Sequence, residues 1–510
     1  MSFLALPSEI HELVISYIPS SQDVASLSIS CRTLHIVCDM ETRKRFHRIR
    51  ISNTDESRNV AFDLFMAILK RPLLGRYVRH IECAIPVAQL MNYREGEHQR
   101  HLGHNDISRV RAAIRKAGFT GLKQDRILNM LMQRKEIKTT NIRGKNIEFE
   151  YGWPKLSASE LVLTQNRECV TRGCFVSQAL TAILITVAPH LESMAVTVPT
   201  EGQYSPVSEW PLLQLLRQTN ADPESKPFLR NLHTVHIIHL NFRAPGDISA
   251  NDTDFIRFFH LFDNFLSMDS FSTPKLRQHG VGIQFLDEQE LSSIVRTSNV
   301  SKMSVLHSAA NSTCLAVLIS SCKALREFQY SNIMMPKERG VREINVKAFV
   351  KAICLHKSTL EVLDVDFDVT CEPQLKRMEH DVGLLDREGG PLDLSEDELT
   401  RAFLQFLWNE MGSLKDFAVL KRLSMGIQTL LYFAKGEEEG HEKEKFILAD
   451  CLPDSLHYLC VRGYERGKNS EHDAQMDALR SFYDSGLSKL REIRGIDECI
   501  PNSPLAIPDE

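Results

Sequence analysis

The chain has 510 residues, 43% hydrophobic and 25% charged, with a formal net charge of −5. That length exceeds the roughly 250–300 residues that one hydrophobic core serves, so the chain must divide into domains or spread into an array. The acidic balance disfavours nucleic-acid binding, and no apolar run approaches the ~20 residues of a membrane span.

Twelve scattered cysteines without a CxxC pair read as reduced thiols of an intracellular protein, cytoplasmic or nuclear. The amino terminus lacks a basic and apolar leader, and Pro7 interrupts it early, so no secretion signal is expected.

The first elements are short helices. Pro7 suits a first helical position. Ile10, Leu13, Val14, Tyr17 and Ile18 then form an apolar stripe that Pro19 ends. Ser20 and Ser21 are caps for a second helix, with Asp23 in its first turn and Val24, Leu27, Ser28 and Cys31 on one face. Leu34, Val37 and Cys38 continue into a third helix, and Arg43, Lys44, Arg45, His47, Arg48 and Arg50 make a basic run. Three helices this short leave apolar surface uncovered, for a partner or for the neighbouring domain. The spacing alone fits the first helical layer of a larger domain equally well.

The order of residues here resembles the F-box family. Leu6, Pro7, Glu9, Ile10, Val14, Ile18, Asp23, Val24, Leu27, Ser28, Cys31 and Arg32 fall on its pattern, while Ser30 and Leu34 depart from it. The resemblance covers about a tenth of the chain. It implies a three-helix module over residues 1–50 that docks the Skp adaptor through Leu6, Pro7, Ile10, Val14, Ile18, Val24, Leu27, Cys31 and Leu34. Through the adaptor it implies a cullin and an SCF-type ubiquitin ligase. The remainder would capture an unidentified protein substrate, with no bond chemistry, cofactor or membrane contact of its own.

After a polar linker at 52–57, Val60, Leu64, Met66, Ile68 and Leu69 predict a helix ending near Pro72. A strand template, apolar-x-x-apolar-x-apolar, then recurs. Its copies are Val78/Ile81/Cys83, Leu191/Met194/Val196, Leu232/Val235/Ile237, Val300/Met303/Val305, Leu325/Phe328/Tyr330, Leu360/Leu363/Val365, Leu420/Leu423/Met425 and Leu456/Leu459/Val461. A partial copy is Leu487/Leu490/Ile493. Chance alone produces many such matches, so their weight rests on the apolar helical segments 175–188, 314–322, 346–355 and 399–411 that precede four of them. Ser395 and Glu398 cap the last of these.

Helix and strand alternating in this way follow leucine-rich-repeat logic. The expected fold is α/β: the F-box, then a degenerate solenoid over 51–500 with a curved parallel sheet and outer helices, then a tail at 501–510. Copies start at uneven intervals, from 25 residues (Val300 to Leu325) to 113 (Val78 to Leu191), so polar insertions are expected. Residues 93–106, 199–228, 241–254, 371–397 and 435–445 read as solvent loops, and 107–135 as helical.

Few residues suggest chemistry. His98, His101 and His104 lie three apart beside Glu97 and Asp106, a spacing that on a helix could gather a metal and support an enzymatic reading. His233, His236 and His239 share the spacing, but on a strand such steps change face. Gly463 to Lys468 is one residue short of a phosphate loop. On the exposed sheet positions, His233, Glu327, Asp364 and His457 are candidates for substrate contact.

Overall fold

The computed structural model describes residues 3–18, 21–52, 54–84, 99–133, 175–197, 210–238, 255–274, 294–308, 310, 312–332, 346–366, 412–436, 446–486 and 489–502. The chain divides into two compact units. One comprises Met1–Thr197, Gln203–Val235 and Leu240–Asp247; the other comprises Val198–Gly202, His236–His239 and Ile248–Glu510. Both are α/β, and every described strand pair is parallel.

The first unit opens with a 3-10 turn, Phe3–Ala5, and four helices: α1 (Ser8–Ser16), α2 (Ser21–Ser28), α3 (Arg32–Cys38) and α4 (Met40–His47). Three helices were expected. The fourth forms because Asp39, left-handed at φ 42°, turns the chain out of α3, and its side chain accepts from the N–H of Thr42 at 3.3 Å. The basic run thus divides, with Arg43 to His47 on α4 and Arg48 to Ile51 forming strand β1. The expected boundary at residue 50 falls inside that strand.

The helix α5 (Asp55–Lys70), capped by Thr54, leads to β2 (His80–Cys83). Helices His104–Lys116 and Gly121–Leu131 fill the stretch expected to be helical. A helix over 175–187 precedes β3 (Ser193–Val196), and β4 (Thr234–Ile237) begins in this unit, its last two residues being assigned to the other.

Residues 199–228 were expected as loop, yet Pro211–Ala221 is a helix. Pro211 sits at its first turn, and Leu212, Leu213, Leu215 and Leu216 are all buried. A strong apolar cluster overrides the Pro- and Ser-rich flanks.

In the second unit seven strands follow one another: β5 (Ser270–Ser272), β6 (Lys302–Ser308), β7 (Glu327–Asn332), β8 (Val362–Asp366), β9 (Arg422–Gly426), β10 (Tyr458–Arg462) and β11 (Glu492–Arg494). Each pairs with the next in chain order. Helices Ser312–Ser321, Val346–Cys354 and Ile427–Lys435 lie between them, and Ser470–Asp484 precedes β11. The expected helix 399–411 with its cap at Ser395 and Glu398 lies outside the described residues, as does the expected tail from 503 onward.

The eight full template copies end in strands in a common register, whereas the partial copy Leu487/Leu490/Ile493 is three residues out of it: β11 sets Ile493, not Leu490, beside Leu459, and Leu487 lies outside the described residues. In the full copies the second residue supplies a carbonyl that accepts from the two amides opening the next strand. Arg326 O takes the N–H groups of Glu361 and Val362 at 2.7 and 3.0 Å, and Glu361 O those of Lys421 and Arg422 at 2.8 and 3.1 Å. In the first unit Arg79 O takes those of Glu192 and Ser193 at 2.8 and 3.0 Å. These bonds satisfy backbone groups that would otherwise be orphaned at each strand entry.

The fourth and sixth template places turn into the core and meet helices there. Phe328 meets Phe349 with ring centroids 5.9 Å apart, and Phe417, on the turn before β9, meets Phe433 edge-on at 5.4 Å. In β11 the register corrects the expected copy to Leu490/Ile493/Gly495, and Gly495 stands at φ 84°, where a Cβ would lie 1.8 Å from Val461 O. Only glycine fits there.

Two strands went unpredicted. β1 follows the same template as Phe46/Ile49/Ile51, and β5 as Met268/Phe271/Thr273; all six residues are buried. In β1 the flanking arginines masked the pattern, and in β5 the short Ser-Phe-Ser run did.

Candidate functional site: the amino-terminal helices and the exposed sheet positions

Two surfaces could bind a partner. The first is formed by α1–α3. Ile15, Val24 and Cys38 make a small core, with Ile18, Leu27, Val37 and Met40 packed against it. Burial raises the pKa of the Cys38 thiol, keeping it protonated. His11 anchors the preceding turn: its Nε2 lies 2.7 Å from Phe3 O, and its ring meets the Phe3 ring edge-on at 4.8 Å. This core is too small to cover the helices. Seven of the twelve large exposed apolar side chains among the described residues lie between Phe3 and Ile36, with Tyr17 79%, Ile29 83% and Ile36 68% exposed.

The nine residues expected to meet an adaptor separate into groups. Pro7, Ile10 and Val14 are exposed, whereas Leu6, Ile18, Leu27 and Cys31 are half-buried. Val24 and Leu34 are buried and face the helices' own interior. Leu13, Tyr17, Ile29 and Ile36 complete the exposed apolar surface. The first two were visible in the α1 stripe. Ile29 and Ile36 were not, because which side of α2 and α3 faces outward depends on how the helices pack.

The second surface is the sheet face bearing the third and fifth template places. In the second unit Lys302, Lys421 and Arg462, on or beside this face, are matched across strands. Lys302 pairs with Glu327 at 2.8 Å and Lys421 with Glu361 at 2.5 Å. Arg462 on β10 reaches Asp364 at 2.8 Å and Asp366 at 3.3 Å on β8, and its Nε donates to Ser424 Oγ at 3.0 Å on the strand between. Arg422 lies over the Tyr458 ring at 4.7 Å. Glu327 and Asp364, both expected to contact a substrate, are therefore engaged within the sheet. His457 is half-buried and supplies its carbonyl to the ladder.

In the first unit the face differs. Arg48 and Arg50 on β1 share one carboxylate, Glu82 on β2, with Arg50 Nε 3.0 Å from it. Arg79 pairs with Glu192 at 2.9 Å. The His47 and His80 rings meet edge-on at 4.7 Å, and burial lowers the pKa of both. His233 and His236 are exposed at β4, and His239 lies outside the described residues.

The expected histidine cluster is not assembled on a helix. The helix begins only at His104, His101 precedes it in an irregular stretch, both are exposed, and His98 lies outside the described residues. Among the described residues no three His, Cys, Asp or Glu side chains gather into a metal-binding group. Six of the nine described cysteines are buried, Cys31 and Cys451 are half-buried, and Cys499 is exposed. Burial pushes the thiols of Cys83 and Cys314 up to about 12. No helix among the described residues is long and apolar enough to cross a membrane. No protein-family model and no curated protein matches the chain.

Proposed function

We propose that the protein is a substrate receptor of an SCF-type ubiquitin ligase. In this reading α1–α3 are an F-box that docks the Skp adaptor, and through it a cullin. The parallel strands with their intervening helices are a degenerate leucine-rich-repeat array that binds a target protein. The chain itself performs no bond chemistry.

The observation that carries this reading is the exposed apolar surface of α1–α3, beside the F-box-like order of Leu6, Pro7, Glu9, Ile10, Asp23, Cys31 and Arg32. Burying such a surface stabilises an interface at about 25 cal/mol per Å², so helices that leave Tyr17, Ile29 and Ile36 in water fit a covered state better than a free one. Within the proposal, Ile10, Leu13, Val14 and Tyr17 make the contact, while Val24 and Leu34 hold the helices in place for it.

Co-purification of the full chain with the Skp adaptor tests this. The wild type binds, and a Leu13→Asp/Tyr17→Asp variant with an unchanged melting temperature does not. A wild type that fails under conditions where a known F-box protein binds sinks the proposal.

A further inference from the structure

We infer that the sheet face of the first unit, centred on Arg48 and Arg50 of β1, is a docking surface for an acidic segment of a partner protein. The inference deepens the receptor reading and rests on it: the acidic segment belongs to the captured target.

Charge complementarity carries the argument. Arg48 and Arg50 alternate with the buried Ile49 and Ile51, so both guanidinium groups stand on the exposed face of one strand. A single carboxylate, Glu82, holds them both. It is 10% exposed, while each arginine side chain remains 66% exposed. Among the described residues, two cations on one buried anion leave a net positive charge at this surface.

The shared carboxylate also restrains both guanidinium groups, which stay largely exposed. Planar donor forks restrained in this way suit a carboxylate or phosphate group, which accepts two parallel hydrogen bonds. The neighbouring Arg79 is matched by Glu192 and adds no excess charge. His47 and His80, held neutral at neutral pH by burial, add none either. The excess therefore sits on Arg48 and Arg50.

The sheet face of the second unit provides the contrast. There Lys302, Lys421 and Arg462 each have carboxylate partners of their own. An acidic segment gains from the unmatched pair on β1 and not from the matched pairs.

The test is fluorescence anisotropy on the full chain with three labelled probes: a peptide alternating Glu and Gly, its twin with phosphoserine in place of Glu, and a twin with Lys. Adaptor co-purification is run in parallel on each variant. The Glu peptide binds and the Lys peptide does not, while tighter binding of the phosphoserine twin identifies a phosphorylated target. Arg48→Gln/Arg50→Gln weakens binding by about tenfold or more, because two charge-assisted contacts are lost. Glu82→Gln tightens it several-fold, a gain that misfolding cannot produce. Lys302→Gln/Lys421→Gln leaves it unchanged.

The inference is overturned if the wild type ignores both acidic peptides, if Glu82→Gln fails to strengthen binding, or if Lys302→Gln/Lys421→Gln costs as much as the arginine pair. It is overturned equally if single-stranded DNA competes as well as the peptides, which marks an unselective polyanion surface. Loss of adaptor binding by the wild type strikes the receptor reading alone, because peptide binding is read without the adaptor.

Discussion

In the seven-stranded unit, the fourth and sixth template places from β6 to β10 are no more than 1% exposed, whether filled by Phe328, Tyr330, Leu363 or Met425. In α1–α3 a small cluster of Ile15, Val24 and Cys38 forms the core, and Tyr17 and Ile29 stand in water. Both regions carry apolar residues at regular spacing. The difference is that each strand from β6 to β10 has a neighbour on either side and helices against its inner face, so one apolar side chain is enclosed by several elements. The three helices α1–α3 pack chiefly on one another. The parallel unit thus uses its apolar residues for stability, and the helical group leaves part of them in water.

The largest expected effect comes from the enclosed region. Phe328→Ala leaves a cavity facing Phe349 and should cost about 3–5 kcal/mol in thermal unfolding. Ile15→Ala in the helical group should cost nearer about 2 kcal/mol, since its surroundings can collapse. Equal losses would break the comparison.

Acid should also act on the parallel unit. His356 Nδ1 accepts the N–H of Leu325 at 3.3 Å, and its Nε2 lies 2.9 Å from Ile319 O, so the ring bridges two segments in its neutral form. Burial lowers its pKa from 6.5 to about 4. Below pH 6.5 the unfolded chain binds the proton first. Stability is therefore full above that pH and falls as pH drops toward 4, by up to roughly 3 kcal/mol at about 1.4 kcal/mol per unit. Denaturant unfolding across this window should show the slope, and His356→Leu should flatten it.

A smaller loss is expected at the exposed sheet face. Arg462→Leu removes one charged hydrogen-bond partner of Asp366, which is 4% exposed, and should cost about 1–2 kcal/mol by chemical denaturation. Asp366→Asn in the same background should recover part of it.

The smallest effect on stability is expected where the proposal places the function. Tyr17→Asp, at 79% exposure, should change the melting temperature by less than about 0.5 kcal/mol equivalent while abolishing adaptor co-purification. A large stability loss there would show that the helices are already covered.

Much of the parallel unit was legible because its signal is local. In Leu325/Phe328/Tyr330 or Leu360/Leu363/Val365 the strand and its buried places can be read within six residues. Phe46/Ile49/Ile51 obeys the same rule but sits inside a basic run, and whether Arg48 and Arg50 end on a helix or a strand depends on pairing with β2, about thirty residues away. The histidine spacing near His101, read as a solvent loop with a metal site as the alternative, shows the opposite limit: three-residue steps mean one face only where a helix exists, and here it starts at His104.

The sequence by itself determined the alternation of helix and strand, the template with its buried places, and the amphipathic character of the amino-terminal helices. Each follows from periods of two or 3.6 residues that adjacent positions impose on one another. Only the tertiary structure decided which apolar residues those helices keep and which they expose, that Glu327, Asp364 and Arg462 are bound into the sheet, and that Arg48 and Arg50 share one carboxylate. Those outcomes depend on which distant segment arrives alongside, and a local period carries no record of its neighbour.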